Sequence, residues 1–280
     1  MRNSNSLYES QQESMMSSEP GERSTASARS DREVTSVANA MRLIEALGRQ
    51  PSGGVSDLAR ELGLSKPAVD RLLSTLMSSG YVERDTDTPR YRLTMKLVAI
   101  ANSVKDRTGL IELARPRLAE LAEAFHETVN LGTLHQGSIV YALTVPSQRL
   151  FRIEPVPGSE VPAYATALGK AVLAHSPDDV RDRYLSEFRP IPFTRFTTAS
   201  AADLRQRLER ARRDGYALDD GELVEEVCCA AAPVLDADGH AVAAVSVTTI
   251  RSTFSKSGDQ ITRAVIETAR AISESMVTFR

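Results

Sequence analysis

Residues 36–85 read SVANAMRLIEALGRQPSGGVSDLARELGLSKPAVDRLLSTLMSSGYVERD, and the apolar spacing in this stretch decides the fold of the first third of the chain. Val37, Met41, Leu43, Ile44 and Leu47 recur at three- and four-residue steps, which makes one stripe on a helix beginning near Val34. Gly48 and Pro51-Ser52-Gly53-Gly54 end that helix. A short second helix is expected over Asp57–Leu62, with Ser56 as N-cap and Gly63 as its stop. Ser65 caps a third helix, Pro67 sits in its first turn where the missing N–H costs nothing, and Gly80 closes it. Beyond Gly80, Tyr81–Arg84 and Arg90–Leu93 flank the turn Asp85-Thr86-Asp87-Thr88-Pro89. Three helices followed by a β-ribbon make a winged helix-turn-helix.

On the third helix Val69, Leu72, Leu73 and Leu76 point inward. At about 100° per residue the opposite face carries Pro67, Arg71, Ser74 and Ser78, with Asp70 and Thr75 at its margins. A helix in the major groove offers its N-terminal residues to base edges, so Ser65, Lys66, Pro67, Asp70, Arg71 and Ser74 are the DNA-binding candidates. Arg71 can fork onto guanine or grip a phosphate. Arg84, Arg90 and Arg92 on the wing suit phosphates beside the groove. Bulk charge adds nothing: the chain carries net −3, and Val34–Leu93 holds eight Lys/Arg against seven Asp/Glu. The other readings are solvated charges on a small helical domain, and a winged helix serving as a protein-interaction module.

The 280 residues, 41% hydrophobic and 25% charged, allow two domains of ordinary globular composition. Residues 1–31 are rich in Ser, Glu and Gln and cannot bury enough surface to order themselves, so a disordered tail is expected. A phosphorylatable tail is the alternative. The DNA-binding domain is set at 32–94, a linker helix at 95–108 and a larger domain at 109–280. In the last, a helix is expected over Ile111–Glu127, a hairpin over Val129–Leu134 and Ser138–Thr144, and helices over Thr166–Ala174 and Pro177–Leu185, the latter capped by Ser176. A charged helix over Ala201–Arg213 follows, then apolar strands Val227–Leu235 and Ala241–Thr249, and a last helix over Asp259–Met276. No apolar run is long enough to span a membrane, and the two cysteines, Cys228 and Cys229, are adjacent, which fits a reducing cytoplasm.

Residues 36–85 resemble the N-terminal domain of the IclR family of bacterial transcriptional regulators. ATALGKAVLA (165–174) and GYALDDGELVEEVCCAAAPVLDADGHAVAAVSVT (215–248) resemble the hallmark segments of that family's C-terminal domain. The resemblance implies an α+β protein: a winged helix-turn-helix plus a GAF-like α/β effector-binding domain with an antiparallel sheet. It implies a regulator, repressor or activator, that binds palindromic double-stranded operator DNA as a homodimer or homotetramer. It implies no cofactor, and an effector that is an organic acid, a sugar acid or an aromatic catabolite. The family's effector positions fall on Val161, Ala167, Leu168, Asp219, Val227, Cys229, Ser246 and Thr248. The sequence departs from the family's pattern at Asp70, where an aromatic or histidine is common, and at Glu226, Cys228 and Thr249-Ile250.

The residues point to the same place. Thr166 as N-cap leaves the N–H groups of Ala167, Leu168 and Gly169 without helical partners, a ready anion site; the alternative is a capped surface helix. Ser246 and Thr248 share one strand face and need partners, either a ligand or backbone. Asp219 cannot favour a close carboxylate and is assigned to an effector hydroxyl or a water. Catalysis is the rival reading, but no nucleophile elbow, phosphate loop or zinc motif occurs, and His126, His135, His175 and His240 lack metal-ligand spacing. Redox sensing by Cys228-Cys229 is weaker than burial of both as small apolar residues.

Overall fold

The computed structural model describes residues 34–105, 109–149 and 152–278, so the N-terminal tail at 1–31 lies outside the described residues. The chain divides at Gly109 into two compact units.

The first unit holds helices α1 (Thr35–Gly48), α2 (Val55–Leu62), α3 (Lys66–Ser78) and α4 (Lys96–Lys105), with strands β1 (Gly53–Gly54), β2 (Val82–Arg84) and β3 (Arg90–Leu93). The strands form an antiparallel sheet in the order β1-β3-β2. Leu43, Leu47, Leu58, Leu62, Val69, Leu73, Val82 and Tyr91 make one core under three helices and the wing. Ser65 caps α3, its hydroxyl accepting from Ala68 N–H at 3.4 Å. Ser56 does not cap α2: Gly54 occupies that position, and the helix begins one residue before Ser56. Gly53-Gly54, read only as part of the run that ends α1, pairs with β3, and a Cβ at Gly53 would crowd Leu47 and Leu58.

The second unit is a six-stranded antiparallel sheet in the order β6-β5-β4-β9-β8-β7. Its strands are β4 (Thr128–His135), β5 (Ser138–Val145), β6 (Glu160–Pro162), β7 (Ala217–Asp220), β8 (Val227–Leu235) and β9 (Ala241–Ile250). Helices α5 (Leu110–Phe125) and α9 (Arg251–Thr278) cover one face, packing on Leu131, Val234, Val245 and Val247. Helices α6 (Ala167–Ala174), α7 (Asp178–Ser186) and α8 (Ala201–Asp214) cover the other, over Ile139, Ala231 and Ala244. Burial on both faces explains why β8 and β9 read as continuous apolar runs rather than alternating ones.

Four expectations need correction. Strands β6 and β7 went unread because edge strands of three and four residues give too short a period. Helix α5 stops at Phe125 because His126 turns left-handed at φ 55°. Ser176 does not cap α7: Pro177 does, and the Ser176 hydroxyl donates to the Val172 carbonyl at 2.9 Å. Helix α9 starts eight residues earlier than Asp259, through the weak helix formers Ser252, Thr253, Ser255, Ser257 and Gly258. Tertiary contacts override that propensity: Arg251 N–H donates to the Glu226 carbonyl at 2.9 Å, and Phe254 packs against the core. No helix among the described residues is long and apolar enough to cross a membrane.

Candidate functional site

In the first unit, Lys66, Pro67, Asp70, Arg71 and Ser74 all lie exposed on α3, opposite buried Val69, Leu73 and Leu76. Lys66 and Arg71 have no hydrogen-bond or ion-pair partner among the described residues, so both side chains are free for a ligand. Arg84 at the end of β2 is exposed and equally free. The other two wing arginines are not. Arg90 turns back onto the body, donating from Nε to Ser52 Oγ at 2.9 Å and from Nη2 to the Ser52 carbonyl at 2.6 Å. Arg92 donates from Nε to Glu83 Oε1 at 2.6 Å across the β2–β3 pair.

In the second unit, a narrow cleft, about 400 Å³ when the open solvent at its mouth is counted and about 30 Å³ of enclosed space, opens between the sheet and the start of α6. Ala167 and Leu168 line it from α6, Asp219 from β7, and Val227 and Cys229 from β8. Ser246 and Thr248 line it from β9. Val161 does not: it pairs with Ile139 as the centre of edge strand β6 and is buried in the adjoining core. The sequence reading missed Tyr141, Ile153, Pro155, Leu223 and Val224, which complete the apolar wall. Four of these five lie outside the helices and long strands or beside a turn, where apolar spacing carries no period.

The start of α6 is built for close approach. Thr166 caps it, its Oγ1 accepting from Gly169 N–H at 3.0 Å, while Ala167 and Leu168 N–H find no acceptor among the described residues. Gly169 is required: a Cβ there would meet the Ala163 carbonyl oxygen at 2.0 Å, so only glycine lets the helix start against the preceding turn. Across the cavity Ser246, 2% exposed, makes no hydrogen bond with its hydroxyl among the described residues. Thr248 Oγ1 accepts from Asn130 Nδ2 at 3.2 Å and from the Cys229 thiol at 3.4 Å. Thr144 in turn donates to Asn130 Oδ1 at 3.1 Å. Both cysteines are free; Cys228 faces away and donates to Asp220 Oδ1 at 3.4 Å. Burial raises both thiols, Cys228 to about 12, which disfavours the thiolate that redox sensing needs.

Behind the cavity lies an ionic cluster. Lys170 and Glu222, each 2% exposed, form an ion pair. Glu222 also accepts from Thr198 Oγ1 at 3.0 Å and from Arg207 Nη1 at 3.3 Å. Asp219 Oδ1 accepts from the Glu222 N–H at 2.7 Å, closing a turn through Gly221 at φ 78°. Burial pushes the Asp219 carboxyl up to about 7, against the pull of Lys170 and with the repulsion of Glu222 adding to it. A lysine inside the apolar run ATALGKAVLA is a legible signal, because an ammonium on a helix buried all round must find a carboxylate.

This domain pair has relatives throughout its length. The model for the IclR helix-turn-helix domain matches residues 36–86, and that for the bacterial transcriptional regulator IclR C-terminal domain matches residues 102–274. The chain belongs to the IclR family. It is 32% identical to the HTH-type transcriptional regulator KdgR of Dickeya chrysanthemi over 244 residues, 87% of this chain and 80% of that one. The crystal structure of a transcriptional regulator from Rhodococcus sp. RHA1 matches at TM-score 0.76 and 29% identity, over 89% of this chain and 100% of the other. An IclR homologue from Microbacterium hydrocarbonoxydans, complexed with 4-hydroxybenzoate, shares the fold at TM-score 0.75 and 22% identity, over 86% of this chain and 98% of its own. As an IclR-family member the chain is a transcriptional regulator rather than an enzyme, with a DNA-binding helix-turn-helix and a C-terminal domain for a small-molecule effector.

Proposed function

We propose that this IclR-family regulator works in the cytoplasm, binds palindromic operator DNA as a homodimer or dimer of dimers, and changes its DNA affinity when a small anion enters the cleft between α6 and β9. The observation that carries the effector reading is that Ala167, Leu168 and Ser246 line one cavity, and that the two N–H groups and the Ser246 hydroxyl have no partner among the described residues. Buried donors cost free energy unless something accepts from them, and a helix N-terminus favours negative charge. The effector is an organic acid, a sugar acid or an aromatic acid; Asp219 meets its hydroxyl or another polar group. On the DNA side, free Arg71 reads a base and free Lys66 and Arg84 meet phosphates.

The test has two arms. A thermal-shift screen of carboxylic, sugar and aromatic acids, 4-hydroxybenzoate among them, identifies an effector. Ser246→Ala should then weaken it about tenfold or more, the cost of a hydrogen bond to an ionised group. Footprinting should show inverted half-sites whose occupancy the effector changes, and Arg71→Ala should cost about 1–3 kcal/mol on that site with the fold intact. No acid raising the melting temperature, or a footprint without symmetry, would sink the respective half of the reading.

A further inference from the structure

The cavity holds a carboxylic acid that the fold leaves almost alone. Asp219 is 3% exposed and receives one hydrogen bond, from the Glu222 N–H. Its charged surroundings can be followed element by element. From α6 comes Lys170, whose ammonium is already bonded to Glu222 in the turn after β7. From α8 comes Arg207, bonded to the same Glu222 and to Asp203. Next on β7 is Asp220, which Arg251 of α9 neutralises. β8 supplies the thiols of Cys228 and Cys229, kept protonated by burial, and β9 supplies only the hydroxyls of Ser246 and Thr248. No cation among the described residues bonds Asp219 directly: Lys170 pulls on it only from its place on Glu222, and burial outweighs that pull and poises the carboxyl near neutrality, at about 7.

This inference rests on the reading that an anion binds beneath the N–H groups of Ala167 and Leu168. Such an anion adds negative charge to a small chamber that already contains Asp219. Two carboxylates sharing one desolvated site do not both ionise. The anion is anchored by the helix N-terminus, and a free carboxylic acid proton is far stronger than any neutral donor at holding it. We propose that effector binding is coupled to uptake of one solvent proton by Asp219, which then holds the bound anion as a neutral hydrogen-bond donor. The effector is therefore a small carboxylate presenting an acceptor oxygen to Asp219, and it binds more weakly as pH rises. Between the free and the bound midpoints of Asp219 the affinity falls by up to about tenfold per pH unit, because binding there must draw a proton from solution, and above the bound midpoint it falls no further.

The experiment uses the full-length chain carrying ¹³C-labelled aspartate and ¹⁵N-labelled leucine, titrated with pH alone and with saturating acetate or 4-hydroxybenzoate. The Asp219 signal is the one absent from Asp219→Asn, and the Leu168 amide the one absent from Leu168→Met. The expected result is an Asp219 midpoint near 7 in the free chain that moves up by about one unit or more with either acid. Asp219→Asn, a neutral isostere, should bind the acid with an affinity that no longer depends on pH. Should that variant prove unstable, the acid-induced rise of the parent's own aspartate that titrates near neutrality decides the matter. A Leu168 amide that shifts while the Asp219 midpoint stays put or falls overturns the proton coupling and leaves the effector site standing. A Leu168 amide that neither acid moves overturns both.

Discussion

Lys170 is the one charged residue on α6, and its stability cost is set by what sits beside it. Breaking a buried ion pair leaves an uncompensated charge, whereas replacing both partners by apolar residues of similar volume is often neutral. Lys170→Met alone and Glu222→Leu alone should each cost about 3–5 kcal/mol. The double variant should cost much less than the sum, since Arg207 keeps Asp203 as a partner. Urea unfolding of the four proteins measures this, and additive losses would show that the pair does not act as a unit. Asp219 gives the pH dependence. Its carboxyl lies near 7 in the folded chain against an ordinary value of 3.8, so the folded state binds the proton more tightly. The stability this confers is fully present below about 4 and is lost as pH rises to about 7, with no further loss above. Each unit of such a shift is worth about 1.4 kcal/mol, so the melting temperature of Asp219→Asn relative to the parent should climb between pH 5 and 7 and then level off. A constant difference across that range would contradict the assignment.

At the scale of elements, the wing separates two kinds of arginine that look alike in sequence. Arg90 ties the end of β1's loop to β3 through Ser52, and Arg84 stands free at the end of β2. Arg84→Ala should therefore lower the log–log salt slope of DNA binding by about one per protomer and leave unfolding unchanged. Arg90→Ala should do the reverse, costing about 1 kcal/mol in urea unfolding with little effect on the slope. Salt titrations on random-sequence DNA compare the two. The same separation marks what sequence could tell. Helices with a clean apolar stripe and strands of eight or more residues were legible, as α3, β4 and β9 show. Elements held by distant partners were not. The first turns of α9 exist because Arg251 and Phe254 find their places in the tertiary structure, and β6 and β7 exist because a longer neighbour templates them.

For the whole chain, the two-unit plan follows from composition and period, and strand alternation put Ser246 and Thr248 on one face, while only the family resemblance assigned that face to an effector. The cleft's apolar wall was not legible, since Ile153, Pro155 and Leu223 reach it from loops. Nor was the Lys170–Glu222 pairing, which joins residues 52 positions apart. One junction has a mechanical corollary. β9 ends at Ile250 and α9 begins at Arg251, with no residue of slack between the strand that carries Ser246 and Thr248 and a helix of 28 residues. At about 1.5 Å per residue that helix is a rod roughly 42 Å long. A tilt of about 2° at its root, small enough to pass unnoticed at the cleft, sweeps its far end through roughly 1.5 Å, the scale of helix shift that interfaces can register. The hydroxyls of β9 thus sit at the short arm of a crank.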